Sequence, residues 1–325
     1  MRTAQQPAPV LVAVDGSGRS AGAVRYAVRE ARLRGTSLRI VHVAPTTLPE
    51  GGLWPSVGRE VEDLRSSGEL VLDRAVSRTS AAAPDVEVDS LLCRGPRVGE
   101  LARASAAGAL LVLGRETRHG LERLVAGATT AGVVARAPVP VVVVRADWGE
   151  DVDRPEGADR PENPGPDAVD TGGLVVGVRS YPGDGELLAH AYAAAAVRQA
   201  TLRLVQVADV ADLAPDAAEG ADVDAAVDAG RRMLREAVGD WSDAFPEVPV
   251  QSTVVPGRPA DALVEAAADA ELLLVARPHR DLRHPARLGR TLRTVVRTSG
   301  TPVEVVPLSG DPAPAPSPPG TRAIS

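Results

Sequence analysis

The chain has 325 residues, enough for two domains with proper cores, and 44% of them are hydrophobic, an ordinary share for a soluble protein. All 36 basic residues are arginine, which excludes a Walker-type phosphate loop and any Schiff-base chemistry, since both need lysine. The net charge of −7 sits almost wholly in Asp147 to Asp170, which holds nine acids and two arginines, so no global field draws in nucleic acid or membrane.

Aromatics are 2% of the chain, so the cores must be built from Val, Leu and Ala. The single cysteine, Cys93, rules out disulfides and reads as a small buried hydrophobe in a strand. His279 and His284 have no evident third ligand beyond Asp281, which argues against a metal site. Met1 to Pro9 is polar, and no apolar run is long enough to span a bilayer, so a cytoplasmic protein is expected.

In chain order, Val10 to Val14 is a continuous apolar run of the buried-strand type. It ends in Asp15-Gly16-Ser17-Gly18, a turn of residues that tolerate positive φ or cap helices. Ser20 to Arg34 reads as a helix with Ala21, Val24, Ala27, Val28 and Ala31 on its apolar stripe, closed by Gly35. Leu38 to Val43 is a second strand. After the Pro/Gly-rich stretch 45–58, Arg59 to Ala82 is a longer amphipathic helix and Val86 to Leu92 a third strand. Gly95-Pro96 turns into a short helix up to Ala107, and Leu110 to Leu113 is a fourth strand. A polar loop from Arg115 to Gly120 follows Gly114. A helix then runs to about Arg136, and Val141 to Val144 is a fifth strand. Strands alternating with helices predict a parallel sheet with right-handed crossovers.

The acidic, proline-rich stretch Asp147 to Thr171 cannot bury enough apolar surface to fold alone and reads as a linker. The pattern then restarts. Leu174 to Arg179 echoes the first strand, Gly257 echoes Gly95, Leu272 to Ala276 echoes Leu110 to Gly114, Gly289 echoes Gly127 and Val303 echoes Val141. Five landmarks at a nearly constant offset mark an internal duplication. The expected layout is an unstructured 1–8, a first domain 9–146, a linker 147–171, a second domain 172–307 and a disordered tail 308–325.

Strand, glycine, loop and helix in succession can hold phosphate, because glycine admits close approach and free N–H groups gather at the turn and helix start. An ordinary strand-to-helix connection looks the same from this stretch alone. Taken with Val10 to Ser17, the Gly95-Pro96 turn and the run to Val144, the stretch 110–130 resembles the universal stress protein family. That family's loop reads Gly, two residues, Gly, nine residues, Gly, then Ser or Thr. Gly114 and Gly127 match its first and third glycines, whereas Thr117 and Ala128 stand at the second glycine and the final Ser/Thr.

The resemblance implies an α/β fold of two tandem Rossmann-like (adenine nucleotide alpha hydrolase-like) domains. Each would be a five-stranded parallel sheet of order 3-2-1-4-5 with helices on both faces. It also implies an adenine nucleotide site in the first half, for ATP with Mg, made by Asp15, Gly16, Ser17, Val43, Gly114, Thr117, Gly127, Ala128, Thr129 and Thr130. Asp15 can accept hydrogen bonds from a ribose or an adenine amino group, or serve only as a turn and cap residue. Arg118 and His119 read as a solvated loop.

The second half has lost this set. Arg179 replaces Asp15, Ser180-Tyr181 replaces Gly16-Ser17, Ala276 replaces Gly114, His279 replaces Thr117 and Arg290 replaces Ala128. No ATP is expected there. It carries instead an arginine series, Arg283, Arg287, Arg290 and Arg297, with Arg277, Arg280 and Arg293 nearby. Such a series suits phosphate or carboxylate, or a solvated face.

No catalytic constellation is evident, so no enzyme is expected. Two readings stand: a tandem stress-response regulator with weak ATP binding in the first half, and a nucleotide-independent scaffold for an unidentified protein partner. A dehydrogenase-type loop is weakly disfavoured: Ala21, a tolerated residue, stands at its third glycine, and Val43 and Ala44 stand where an acidic residue would be needed at the end of the second strand. Nucleic-acid binding is disfavoured by the scarce aromatics. The duplication further suggests that the family's dimer forms within one chain, an intramolecular pseudo-dimer through the strands at Val141–Val144 and Val303–Val306.

Overall fold

The computed structural model describes residues 7–44, 57–115, 128–150, 172–209, 221–278 and 288–309. The chain divides into two compact units, the first of Met1–Glu156 with Pro285–Leu288 and the second of Gly157–His284 with Gly289–Ser325.

In unit 1 the strands are β1 (Val10–Ala13), β2 (Leu38–Ala44), β3 (Val88–Arg94), β4 (Leu110–Arg115) and β5 (Val141–Arg145). The helices are α1 (Ala21–Arg34), α2 (Val57–Ala82), α3 (Arg97–Ser105) and α4 (Ala128–Val134). All the pairings among the five strands are parallel, in the order β3-β2-β1-β4-β5. This is the expected sheet. Its centre is apolar on both faces: Val10, Leu11, Val12, Leu110 and Val112 are fully buried, as a strand covered by helices on both sides requires.

Unit 2 repeats the plan with β6 (Leu174–Gly177), β7 (Leu202–Asp209), β8 (Val250–Gly257), β9 (Leu272–Arg277) and β10 (Val303–Pro307). Its helices are α5 (Gly185–Arg198), α6 (Ala221–Ser242), α7 (Pro259–Ala266) and α8 (Arg290–Thr298). Its strand order is β8-β7-β6-β9-β10, again parallel. Each strand starts 164 or 162 residues after its counterpart, so the two halves share one plan.

Some details differ from the expectations. A 3-10 turn, Gly18–Ser20, precedes α1. β3 lies two residues later than expected, because Val86 belongs to the preceding turn, where its N–H bonds to the Ala83 carbonyl. The buried face of α1 is Gly22, Ala23, Tyr26, Ala27, Val28, Glu30 and Ala31; Ala21 and Val24 are only partly covered. The stripe was hard to place because its buried members include a glycine, a tyrosine and Glu30, whose carboxylate pairs with Arg34 at 3.1 Å. The helix ends as expected on Gly35 in the left-handed conformation, φ 58°. Cys93 is buried, and burial pushes its thiol above the ordinary value.

Candidate functional site

In unit 1 the strand order reverses between β1 and β4: the chain moves one way from β1 through β2 to β3, and the other from β4 to β5. Such a reversal opens a crevice beyond the carboxyl ends of the strands, where ligands of open α/β sheets sit. The register pairs Ala13 with Val41 and with Leu113. Asp15, Val43 and Gly114 therefore stand near the same end of three adjacent strands.

Asp15 is exposed and built into its turn. Its Oδ1 accepts from the Ser17 N–H at 2.9 Å, the Ser17 hydroxyl at 2.6 Å and the Ser20 hydroxyl at 3.2 Å. Its other carboxylate oxygen accepts no hydrogen bond from the described residues. Partial burial pulls this carboxyl upward, but the bonds from Ser17 and Ser20 and the charge of Arg19 together outweigh it. The net result is a carboxyl held below its ordinary value, ionised at neutral pH. The turn-forming role is the one the fold displays: Oδ1 holds the turn together through Ser17 and Ser20.

The turn needs its glycine. Gly16 has φ 81°, and a Cβ there would lie 2.9 Å from Val71 Cγ2 on α2. Ser17 is extended and its hydroxyl accepts from the Arg19 N–H at 3.3 Å, starting the 3-10 turn. Gly114 is required for a reason internal to the fold. A Cβ there would lie 2.8 Å from the Arg19 carbonyl oxygen and 3.3 Å from Ser20 Cα. The close approach this glycine permits is that of the chain's own 3-10 turn. Val43 is buried and pairs with Cys93, so its side chain belongs to the core and only its main chain is available to a ligand.

Ala128, Thr129 and Thr130 form the first residues of α4; the first two are exposed and Thr130 is partly buried. Thr117 and Gly127, with Arg118 and His119, lie outside the described residues.

Two features were not read from the sequence. Arg115, at the end of β4, is half-buried opposite Arg145 of β5. Burial first, and then the Arg145 charge, lower its guanidinium from the ordinary value. Arg145 makes a two-pronged pair with Asp147, at 2.9 and 2.5 Å. The segment after β5 is also strapped to α1. The Gly22 N–H bonds to the Ala146 carbonyl at 3.0 Å, and Arg25 bonds to the carbonyls of Trp148 at 2.7 Å and Ala146 at 3.2 Å. Tyr26 meets Trp148 edge-on at 5.1 Å. Residues 147–150, expected to begin the linker, are thus bonded to the first helix. Only the pairing of Arg25 with this segment carries a sequence hint, through the acids Asp147 and Glu150.

Unit 2 replaces the site with a closed arrangement. Asp184 stands where unit 1 has Ser20, and its side chain is fully buried. It accepts from the N–H groups of Arg179 at 2.7 Å and Ser180 at 3.1 Å, and from Arg179 Nη2 at 2.9 Å. Tyr181 donates to Asp240 Oδ2 on α6 at 2.5 Å. Burial, and then Asp240, push its phenol up to about 12. Ala276 is buried at the position of Gly114. Of the arginine series, Arg290, Arg293 and Arg297 are exposed on α8; Arg280, Arg283 and Arg287, with His279, lie outside the described residues. Arg277 is half-buried, and burial lowers its guanidinium. The tail expected from residue 308 is bonded over its first two residues: the Leu308 N–H to the Arg277 carbonyl at 2.9 Å, and the Ser309 N–H to Glu186 Oε2 at 2.7 Å.

A doubly wound parallel sheet of this order defines a Rossmann-like α/β fold, here present twice. Residues 8–145 and 173–307 match the universal stress protein family, and the chain belongs to that family. A universal stress protein of Mycolicibacterium smegmatis is 26% identical over 255 residues, covering 77% of this chain and 80% of that protein. One from Mycobacterium tuberculosis is 27% identical over 268 residues with the same coverage. The crystal structure of a universal stress protein from Archaeoglobus fulgidus superposes with a TM-score of 0.65 at 18% identity, covering 93% of this chain and 99% of that one. That likeness is one of fold. Among the described residues no helix is long and apolar enough to cross a membrane.

Proposed function

We propose that this protein is a stress-response regulator whose unit 1 binds adenine nucleotide, ATP with Mg, while unit 2 binds none. The observation that carries this reading is the Asp15 carboxylate. It is exposed, ionised and fixed by Ser17 and Ser20 at the switch point, with one oxygen accepting no hydrogen bond from the described residues. A carboxylate so placed can accept from ribose hydroxyls or an amino group. Gly16, Ser17 and the Val43 main chain line the same strand ends. Thr129 and Thr130 offer hydroxyls and N–H groups on the α4 side. Gly127 completes the set by family motif, with Thr117 and Ala128 at the two positions where the chain departs from it. In unit 2 the equivalent place holds the Arg179 guanidinium, locked to Asp184, which offers donors where the nucleotide needs acceptors.

The site holds nucleotide without turning it over, so the protein would report nucleotide state from a cytoplasmic setting. Calorimetric titration with ATP and Mg tests this. Micromolar binding, one nucleotide per chain and lost in Asp15→Ala, is expected. No heat at millimolar ATP would sink the reading.

A second reading has its own support. Gly114 is demanded by the Arg19 carbonyl rather than by a ligand, and Ala128 offers no hydroxyl to phosphate. A nucleotide-independent scaffold for a protein partner then accounts for the chain, and the same titration decides. The duplication also supports an intramolecular pseudo-dimer. Sedimentation at the mass of one chain is expected; a stable two-chain species would count against it.

A further inference from the structure

One peptide group sets where the Asp15 carboxylate points, and side chains from two different elements hold it. β1 leaves its ladder after the pair Ala13–Val41. The Val14 N–H still bonds to the Val41 carbonyl at 2.9 Å. Beyond it, the Val14–Asp15 peptide has its carbonyl oxygen 2.8 Å from His42 Nδ1, on β2. The N–H of the same peptide donates to Ser20 Oγ, at the start of α1, at 3.4 Å. A carbonyl only accepts, so the proton of the His42 ring is on Nδ1. Room for the ring comes from Gly68 on α2, where a Cβ would lie 3.4 Å from His42 Cδ2 and 2.8 Å from Leu92 Cδ1.

Unit 2 supplies an internal comparison. Gln206 takes the place of His42, Gly230 that of Gly68 and Val254 that of Leu92. The packing is the same, since a Cβ on Gly230 would lie 2.0 Å from Gln206 Oε1 and 3.1 Å from Val254 Cγ1. The bond is not: among the described residues the Gln206 amide makes no bond to the Val178 carbonyl, and its Oε1 is buried without a partner. There the turn is held from its N–H side, by Asp184. A side chain grips the carbonyl before the turn in unit 1, the unit whose turn presents a free carboxylate oxygen.

We propose that His42 is a positioning residue for the nucleotide site of unit 1. Its Nδ1–H orients the Val14–Asp15 peptide, and through it the Asp15 carboxylate. This rests on the nucleotide reading of that site. His42 acts through Asp15 and makes no contact of its own with the ligand. His42→Asn keeps an N–H donor near the position of Nδ1, whereas His42→Leu keeps bulk and donates nothing.

The experiment uses the full chain. ATP with Mg is titrated into the wild type, His42→Leu, His42→Asn, Asp15→Asn and the double variant His42→Leu/Asp15→Asn. Amide hydrogen exchange at residues 15–20 is measured without nucleotide. His42→Leu is expected to weaken ATP about tenfold, the factor one net hydrogen bond carries. His42→Asn should recover most of that affinity, and His42→Leu should add little in the Asp15→Asn background. Exchange at residues 15–20 should quicken in His42→Leu and not in His42→Asn. Equal weakening by His42→Leu in both backgrounds, or exchange unchanged in His42→Leu, overturns the proposal. If the wild type binds no ATP, the nucleotide reading fails by itself. The exchange pattern still decides whether His42 holds the turn.

Discussion

Gly114→Ala adds one methyl group where the 3-10 turn presses on β4. Its Cβ would meet the Arg19 carbonyl oxygen at 2.8 Å, against an ordinary contact of 3.4 Å, so the turn must retreat by about 0.6 Å. Ser20 moves with it. The Ser20 hydroxyl stands 3.2 Å from Asp15 Oδ1 and 3.4 Å from the Asp15 nitrogen, and a shift of that size exceeds the slack in either contact. Overpacking of this kind costs about 1–3 kcal/mol. Partly exposed hydrogen bonds add less, so a loss of about 2 kcal/mol is expected for unit 1. The Asp15 carboxyl should also titrate higher than in the wild type. Burial raises it, and the bonds that outweigh burial come from Ser17 and Ser20. A carboxyl held low in the fold contributes stability above its unfolded value, and that stability is lost as pH falls through the folded value. The variant should therefore lose this contribution at a higher pH. Urea unfolding and a carboxyl-carbon NMR titration of Asp15 measure both effects. A stability within about 0.5 kcal/mol of wild type, together with an unchanged Asp15 titration, would refute the steric argument.

Gly22→Ala and Gly99→Ala are the same chemical change near the starts of two helices, and their effects should have opposite signs. At Gly22 a Cβ would lie 2.1 Å from the Arg145 carbonyl oxygen and 2.8 Å from that of Ala146, whereas Gly99 has nothing within 4 Å. The first should cost about 2 kcal/mol or more as the strap is pushed off α1; the second should gain up to about 1 kcal/mol. Thermal midpoints that move in the same direction would refute this. Tyr181→Phe tests the second unit. The phenol, pushed up to about 12 by burial and by Asp240, favours the fold fully below its unfolded value near 10, and that contribution is lost as pH rises from there towards 12. Urea midpoints should fall with pH over that window in the wild type and stay flatter in the variant. Parallel curves would show that the Tyr181–Asp240 bond has no such role.

The sheet was legible because its signals are local. Apolar runs of four to six residues, separated by helical stretches and punctuated by glycines, specify strands whatever their partners are. A parallel arrangement then follows from the connections. The repeat was legible for the same reason, since the offset is visible residue by residue. What escaped notice is long-range. Nothing local marks Ser20 as the partner of Asp15, or Gly22 as the seat of the strap from Ala146. His42 looks like any polar residue on a half-covered strand until β1 is seen to end beside it. The glycine at 114 is legible as a point of close approach, but that the Arg19 carbonyl approaches it is visible only in the fold. Tyr26 and Glu30 escaped the helix stripe because burial there depends on Trp148 and Arg34, not on hydropathy.

The differences between the two turns are coupled. In unit 1 the carboxylate belongs to the turn, Asp15, and the hydroxyl to the helix start, Ser20. In unit 2 the carboxylate belongs to the helix start, Asp184, and the turn supplies the cation, Arg179. Asp184 is fully buried, so it needs its charge partner and its two N–H donors. Once it is there, Arg179 is the residue that satisfies it, and an aspartate in that place would set two carboxylates together. The turn is gripped from its N–H side, and Gln206, in place of histidine, leaves a buried Oε1 without a partner among the described residues. The buried Ala276 belongs to the same set, because a methyl group is tolerated only where the turn no longer presses on the strand as Arg19 does on Gly114. The four substitutions, at residues 179, 184, 206 and 276, are thus one alternative solution to holding the same turn. It exchanges an exposed turn carboxylate for an ion pair kept within the fold.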